Sequence, residues 1–129
     1  MNGPGASEES LVAVSIACES EAAAGQLAAA LVEQRLVACA QSWPMRSTYR
    51  WQGTIEGAAE HMLTAKTTAA LLPDVEALVR SLHSYEVPEI VAQALSWASE
   101  PYAQWVRESV RTAGAPVGAT TPDEDETPL

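Results

Sequence analysis

The residues best suited to chemistry in this sequence are a set of polar-tipped aromatics and charges: Tyr49, Trp51, Lys66, Tyr85, Glu86, Glu89 and Trp105. They carry more polar atoms than a plain core requires. A lysine in the middle of a sheet motif demands a carboxylate partner if it is buried, and Glu89 or Glu60 would supply one. A subunit-interface cleft lined by such groups suits a small anionic ligand or a metal chelate. The plainer reading is that Lys66 and a glutamate form an interfacial ion pair that fixes register. Glu86 and Glu89 have the spacing of an acid–base pair, but on a loop entering a strand they read as solvated or structural.

No other pattern supplies a reaction. The chain lacks a Gly-x-Ser-x-Gly elbow, a glycine-rich phosphate loop, Cys-x-x-Cys and His-x-x-x-His, and its two histidines, His61 and His83, lie 22 residues apart. A Ser-His-Asp arrangement has little to build from, so the chain reads as non-catalytic. Cys18 and Cys39 are 21 residues apart. Two thiols in a reducing compartment behave more often as small buried hydrophobes than as a disulfide or a metal clamp. His61, alone in a strand, reads as structural.

The elements that must position these residues follow from apolar spacing. Leu11 to Cys18, with Val12, Val14 and Ile16, is a short uncharged run suited to a buried strand. From Glu19 to Arg35 the residues Ala24, Leu27, Ala28, Leu31 and Val32 recur at helical spacing, with Ser20 as the cap. Leu36 to Trp51 reads as a long strand interrupted at Pro44, because proline removes a ladder donor. A turn at Gln52-Gly53-Thr54 leads into an antiparallel partner from Ala59 to Thr67. Period two puts Tyr49 and Trp51 on one strand face and Arg50 on the other. Leu71, Leu72, Val75, Leu78, Val79 and Leu82 make the firmest helical stripe. Pro88 then opens a strand from Ile90 to Trp97, and Pro101 a last helix with Tyr102, Trp105, Val106 and Val110 on one narrow face. The order β-α-β-β-α-β plus a helix predicts an α+β fold of the split β-α-β type, an antiparallel sheet with two helices on one face. The other face needs cover, and oligomerisation supplies it.

The 129 residues carry a formal charge of -10, and Glu8, Glu9 and the block Asp123 to Glu126 contribute six of those charges. Residues 11 to 111 hold 11 acids and 7 bases, too few bases to build a phosphate-neutralising stripe, so nucleic acid and anionic membrane are excluded as partners. No apolar run approaches the roughly 20 residues of a membrane span. The opening residues do not resemble a signal peptide, and a cytoplasmic location is expected. Residues 1–9 and the acidic tail 112–129 are expected to be disordered around a single domain at 10–111.

Five motifs in order across that domain resemble the CutA divalent-cation tolerance family: Leu36-Val-Ala-Cys-Ala40; Ser47-x-Tyr49-x-Trp51-x-Gly53-x-Ile55-Glu56; Glu60-x-x-Leu63-x-x-Lys66-Thr67; His83-Ser-Tyr85-Glu86-Val87-Pro88-Glu89-Ile90; and Tyr102-x-x-Trp105. The resemblance implies a ferredoxin-like subunit with an extended hairpin, assembled into a PII-like homotrimer whose hairpins pack on neighbouring subunits. It also implies a role in tolerance of copper and other divalent metals, with copper or another divalent cation weakly bound and no established reaction. The copper site proposed for the family resembles a first-strand cysteine with two adjacent histidines. This chain has Ile16 at the cysteine position, Cys18 two residues on, and Leu82-His83-Ser84 before the tyrosine. The metal candidates are therefore His83 and Cys18; thiolate suits copper(I) and imidazole copper(II). The runner-up is a PII-like regulatory module binding a small ligand at the subunit clefts.

Overall fold

In the first strand, Val12, Val14 and Ile16 are large and apolar while Ala13, Ser15 and Ala17 between them are small, and the chain folds around that difference. The computed structural model describes residues 9–114. It contains β1 (Leu11–Cys18), α1 (Glu21–Glu33), β2 (Cys39–Trp51), β3 (Thr54–Thr68), a 3-10 turn (Ala69–Leu71), α2 (Leu72–Leu82), β4 (Ile90–Ala94) and α3 (Glu100–Ser109). The strands form one antiparallel sheet in the order β2-β3-β1-β4. This is the expected ferredoxin-like α+β topology.

Val12, Val14, Ile16 and Cys18 face α1 and α2, where they pack against Leu27, Leu31, Val75 and Val79, with Leu63 and Ala65 beside them from β3. Burial of this layer removes each side chain from water, a gain of roughly 1.5–3 kcal/mol per large aliphatic group. Ser20 caps α1 through its hydroxyl, which accepts the Ala23 N–H at 3.0 Å. The helix ends by a 6→1 and 5→2 pair of bonds, Leu36 N–H to Leu31 O and Arg35 N–H to Val32 O, each 3.0 Å. Arg35 takes the left-handed position, φ 59°, where glycine is usual. Its guanidinium donates to the Ser109 carbonyl at 3.2 Å, which ties the helix end to the end of α3.

Three sequence boundaries are corrected. Pro44 does not interrupt β2, which stays paired through Pro44 opposite His61. β2 is an edge strand with one neighbour, and an edge strand tolerates proline where its N–H would point away from that neighbour. β3 begins at Thr54 rather than Ala59, since a tight turn with positive φ at Gln52 (51°) and Gly53 (84°) starts the ladder at once. β4 ends at Ala94 rather than Trp97. The disorder expected of residues 1–8 and 115–129 falls outside the described residues.

The second face of the sheet is covered only at one end, where α3 brings Ala103 and Val106 onto Leu11, with Tyr102 and Trp105 beside them. Cross-strand register places Trp43, Met45, Tyr49 and Trp51 of β2 on that same face as Ser15 of β1 and Val91 of β4. Trp43, Tyr49, Trp51 and Val91 remain between 41% and 50% exposed. No helix among the described residues is long and apolar enough to cross a membrane.

Candidate functional site

The segment after α2 has no regular structure, yet its first three residues, His83, Ser84 and Tyr85, are each fixed by a hydrogen bond. His83 ends the helix with its N–H on the Val79 carbonyl at 2.8 Å. Its Nε2 lies 2.7 Å from the Ala17 carbonyl oxygen. A carbonyl only accepts, so Nε2 carries the proton, and Nδ1 is left to accept the Tyr85 N–H at 3.1 Å. The His83 and Tyr85 rings sit 4.6 Å apart at 53°. The Ser84 hydroxyl donates to the Glu19 carboxylate, and the Tyr85 hydroxyl donates to Glu60 Oε2 at 2.6 Å. The loop is thereby pinned to the end of β1 and to β3.

Between this loop and the far part of the hairpin lies a cleft of about 690 Å³, walled by Tyr49 and Trp51 from β2, Glu60 from β3, and Tyr85, Glu86 and Glu89 from the loop. Glu60 is 6% exposed. Burial, the Glu60 hydrogen bond and the Glu60 charge together push the Tyr85 phenol well above its usual value, so it stays a donor. Five of the seven side chains singled out in the sequence meet here.

The other two do not line it. Lys66 Nζ donates to Gln41 Oε1 at 3.1 Å, and neither Glu89 nor Glu60 is its partner. The register explains this: Lys66 pairs with Cys39, near the start of β2, whereas Glu60 pairs with Met45 and holds Tyr85. Trp105 packs under α3 with its ring 5.7 Å from that of Tyr102, in the small core there. The Tyr102 hydroxyl lies 3.3 Å from Cys39 Sγ. Without Lys66 the cleft has three carboxylates and no basic side chain among its described lining residues. That lining is a poor match for a small anionic ligand, one of the two options, beside a metal chelate, that the sequence suggested. Glu60 enters this site by tertiary contact with Tyr85, 25 residues away in sequence, and no local spacing announces it.

The two metal candidates also come together. Cys18, Glu19, His83 and Ser84 line a second, smaller concavity of about 260 Å³. Cys18 stands opposite His61 in the β1–β3 register, a neighbour the isolated reading of His61 did not foresee. The chemistry of the donors is restrained. Burial raises the Cys18 thiol above its usual value, and the Glu60 and Glu19 charges raise it further. Both ring nitrogens of His83 are engaged. Among the described residues no group of three or more His, Cys, Asp or Glu side chains could hold a metal ion. The set does not fit a tight, preformed metal centre, which needs deprotonated ligands in convergent geometry.

A ferredoxin-like sheet with a long hairpin and carboxylate-bearing concavities defines a small α+β protein of the divalent-cation tolerance type. Residues 12–109 match the model of the family described as CutA1 divalent ion tolerance protein, and the chain belongs to that family. It is 42% identical over 97 residues to the divalent-cation tolerance protein CutA of Thermus thermophilus, covering 74% of this chain and 94% of that one. It is 39% identical over 108 residues to human protein CutA, covering 83% of this chain. The chain spans 60% to 66% of the length of the human, mouse and bovine relatives. Among solved structures, the Thermus thermophilus divalent cation tolerance protein superposes with a TM-score of 0.77 at 40% identity, covering 78% of this chain and 99% of that one.

Proposed function

We propose that this chain works in the cytoplasm as a homotrimeric divalent-cation tolerance protein that binds copper or a similar divalent ion weakly and catalyses no reaction. The observation that carries the reading is the charge of its concavities. The cleft is lined by three glutamates and the smaller concavity beside it by one, Glu19, together with Cys18 and His83, and neither includes a Lys or Arg among its described lining residues. A metal entering the smaller concavity gains a thiolate and an imidazole only after displacing the Cys18 proton and the Tyr85 N–H from His83 Nδ1. Those costs make the binding weak and pH-dependent.

Isothermal titration of copper and zinc into the wild type and His83→Ala tests this. Saturable heats that His83→Ala reduces support the reading; identical heats, or none, sink it. A second reading, a regulatory module that binds a small organic ligand in the cleft, is favoured by the size of that cleft and by the aromatic rings in its wall.

A further inference from the structure

Lys66 is the only base that the four strands carry on the open face of the sheet. It pairs with Ala13 and Cys39, in the same alternation as Ser15, Tyr49 and Trp51, whereas Arg46 and Arg50, paired with Ala59 and Ile55, fall on the other side. The bases outside the sheet have partners of their own: Arg35 on the Ser109 carbonyl, Arg80 on Glu76, Arg107 on the Glu9 carbonyl and Arg111 on Asp74. Lys66 donates to the neutral Gln41 amide and makes no ion pair among the described residues. Its ammonium is therefore oriented along the open face without being neutralised.

The same face carries the complementary charge. Tyr49 and Trp51 form one wall of the cleft, and Glu86 and Glu89 stand exposed on the other, neither in an ion pair among the described residues. Within one chain Lys66 does not reach them. It meets β1 at Ala13, while Ile90, next to Glu89, meets β1 at Ile16, which sets the two about 10 Å apart along the strands and about 10 Å apart across them. A face with a cation at one place and carboxylates at another is complementary to a rotated copy of itself, and a head-to-tail contact that closes into a ring joins the two patches at every interface.

We infer that Lys66 of the partner subunit closes this cleft, its ammonium pairing with Glu86 or Glu89 and its methylene stem lying against Tyr49 and Trp51. The pair fixes the register of the contact, because dockings that bring like charges together are penalised. It leaves the Cys18 and His83 concavity to the metal. The inference rests on the homotrimer reading and names the contact that closes it.

Light scattering of the full chain along a urea series tests this. The wild type should hold about three times 13.7 kDa up to a midpoint that Lys66→Glu lowers by about 1 M, and Glu86→Lys/Glu89→Lys should lower it similarly. The chain carrying all three reversals should return to within about 0.3 M of the wild type. Such rescue between positions too distant to touch in one chain identifies a contact between subunits. Arg80→Glu, exposed on α2, should leave the midpoint unchanged. If Lys66→Glu does not fold, Lys66→Met decides: it should lower the midpoint, and adding Glu86→Gln/Glu89→Gln should lower it little further. A trimer indifferent to the Lys66 substitution that folds, or one in which the combined changes simply add, overturns the inference and leaves the homotrimer standing. A wild type that scatters as one chain overturns both.

Discussion

Tyr85 and Glu60 both line the cleft, and their bond joins the loop to β3. The phenol holds one oxygen of a mostly buried carboxylate, so Tyr85→Phe removes a charge-assisted bond and leaves that oxygen in the same apolar wall. Loss of about 1–3 kcal/mol of folding stability is expected, read from the shift of the urea midpoint. The other displaced phenol is Tyr102, pushed up to about 12 by burial and by its hydrogen bond to and interaction with Cys39. A raised folded value means that the native state keeps its proton while the unfolded chain, near the ordinary 10.0, loses it. The corresponding stability is complete below pH 10 and disappears as the pH rises through 12. The melting temperature should therefore fall across that interval, and Tyr102→Phe should flatten the fall. Thermal scans at a series of alkaline pH values check both. At this scale the sequence told a good deal about residue type and little about partnership. Tyr49, Trp51, Tyr85, Glu86 and Glu89 were legible as one set because they pair polar tips with aromatic bodies. That Lys66 belongs elsewhere, and that Glu60 takes its place, depends on which strand positions pair, information that lies between segments rather than within them.

The elements were more readable, because each is specified by the spacing of its own residues. Ser20 stands before a helical stripe, and its hydroxyl does receive the Ala23 N–H. Ser20→Ala should cost about 1 kcal/mol, measurable by chemical denaturation, with Ser20→Gly costing only a few tenths. The hairpin turn has two successive residues at positive φ, Gln52 at 51° and Gly53 at 84°, a combination that matches the twist of the flanking strands. An added Cβ at Gly53 would meet nothing within 4 Å, so the cost of Gly53→Ala is conformational alone, about 1–2 kcal/mol. A drop in melting temperature without loss of sheet signal in circular dichroism is the expected result. Where boundaries were misread, local pattern was missing or contradicted by context. Thr54 to Ala58 lacks apolar alternation on a hairpin whose two faces are both exposed there. The proline in β2 reads as a break in one dimension and as a permitted edge position once β3 is its only neighbour. The apolar run after Ala94 continues in sequence, but Leu95 gives its N–H to Leu11, after which the chain leaves the sheet for α3.

For the whole molecule, the decisive feature is the face of the sheet away from α1 and α2. Trp43, Tyr49, Trp51 and Val91 lie on it and stay 41% to 50% exposed, and β2 presents a 13-residue open edge beside them. A long edge strand next to several exposed aromatic and aliphatic side chains pairs with another chain unless something covers it. Exposed apolar residues also occur on the helices, Val32 at 42% and Leu82 at 56%, so exposure alone does not locate an interface. The two settings give different outcomes under the same substitution. Trp43→Asp places a charge where a neighbouring subunit's surface would have to desolvate it, without touching the cleft lining or the helix-facing core. Light scattering of the wild type at micromolar concentration should give about three times 13.7 kDa, and Trp43→Asp should fall toward a single chain while remaining folded. Val32→Asp should leave the assembly mass unchanged. If the wild type scattered as one chain, the sheet face would need a different cover. If Val32→Asp dissociated the assembly as readily as Trp43→Asp, the helices rather than the sheet would form the contact.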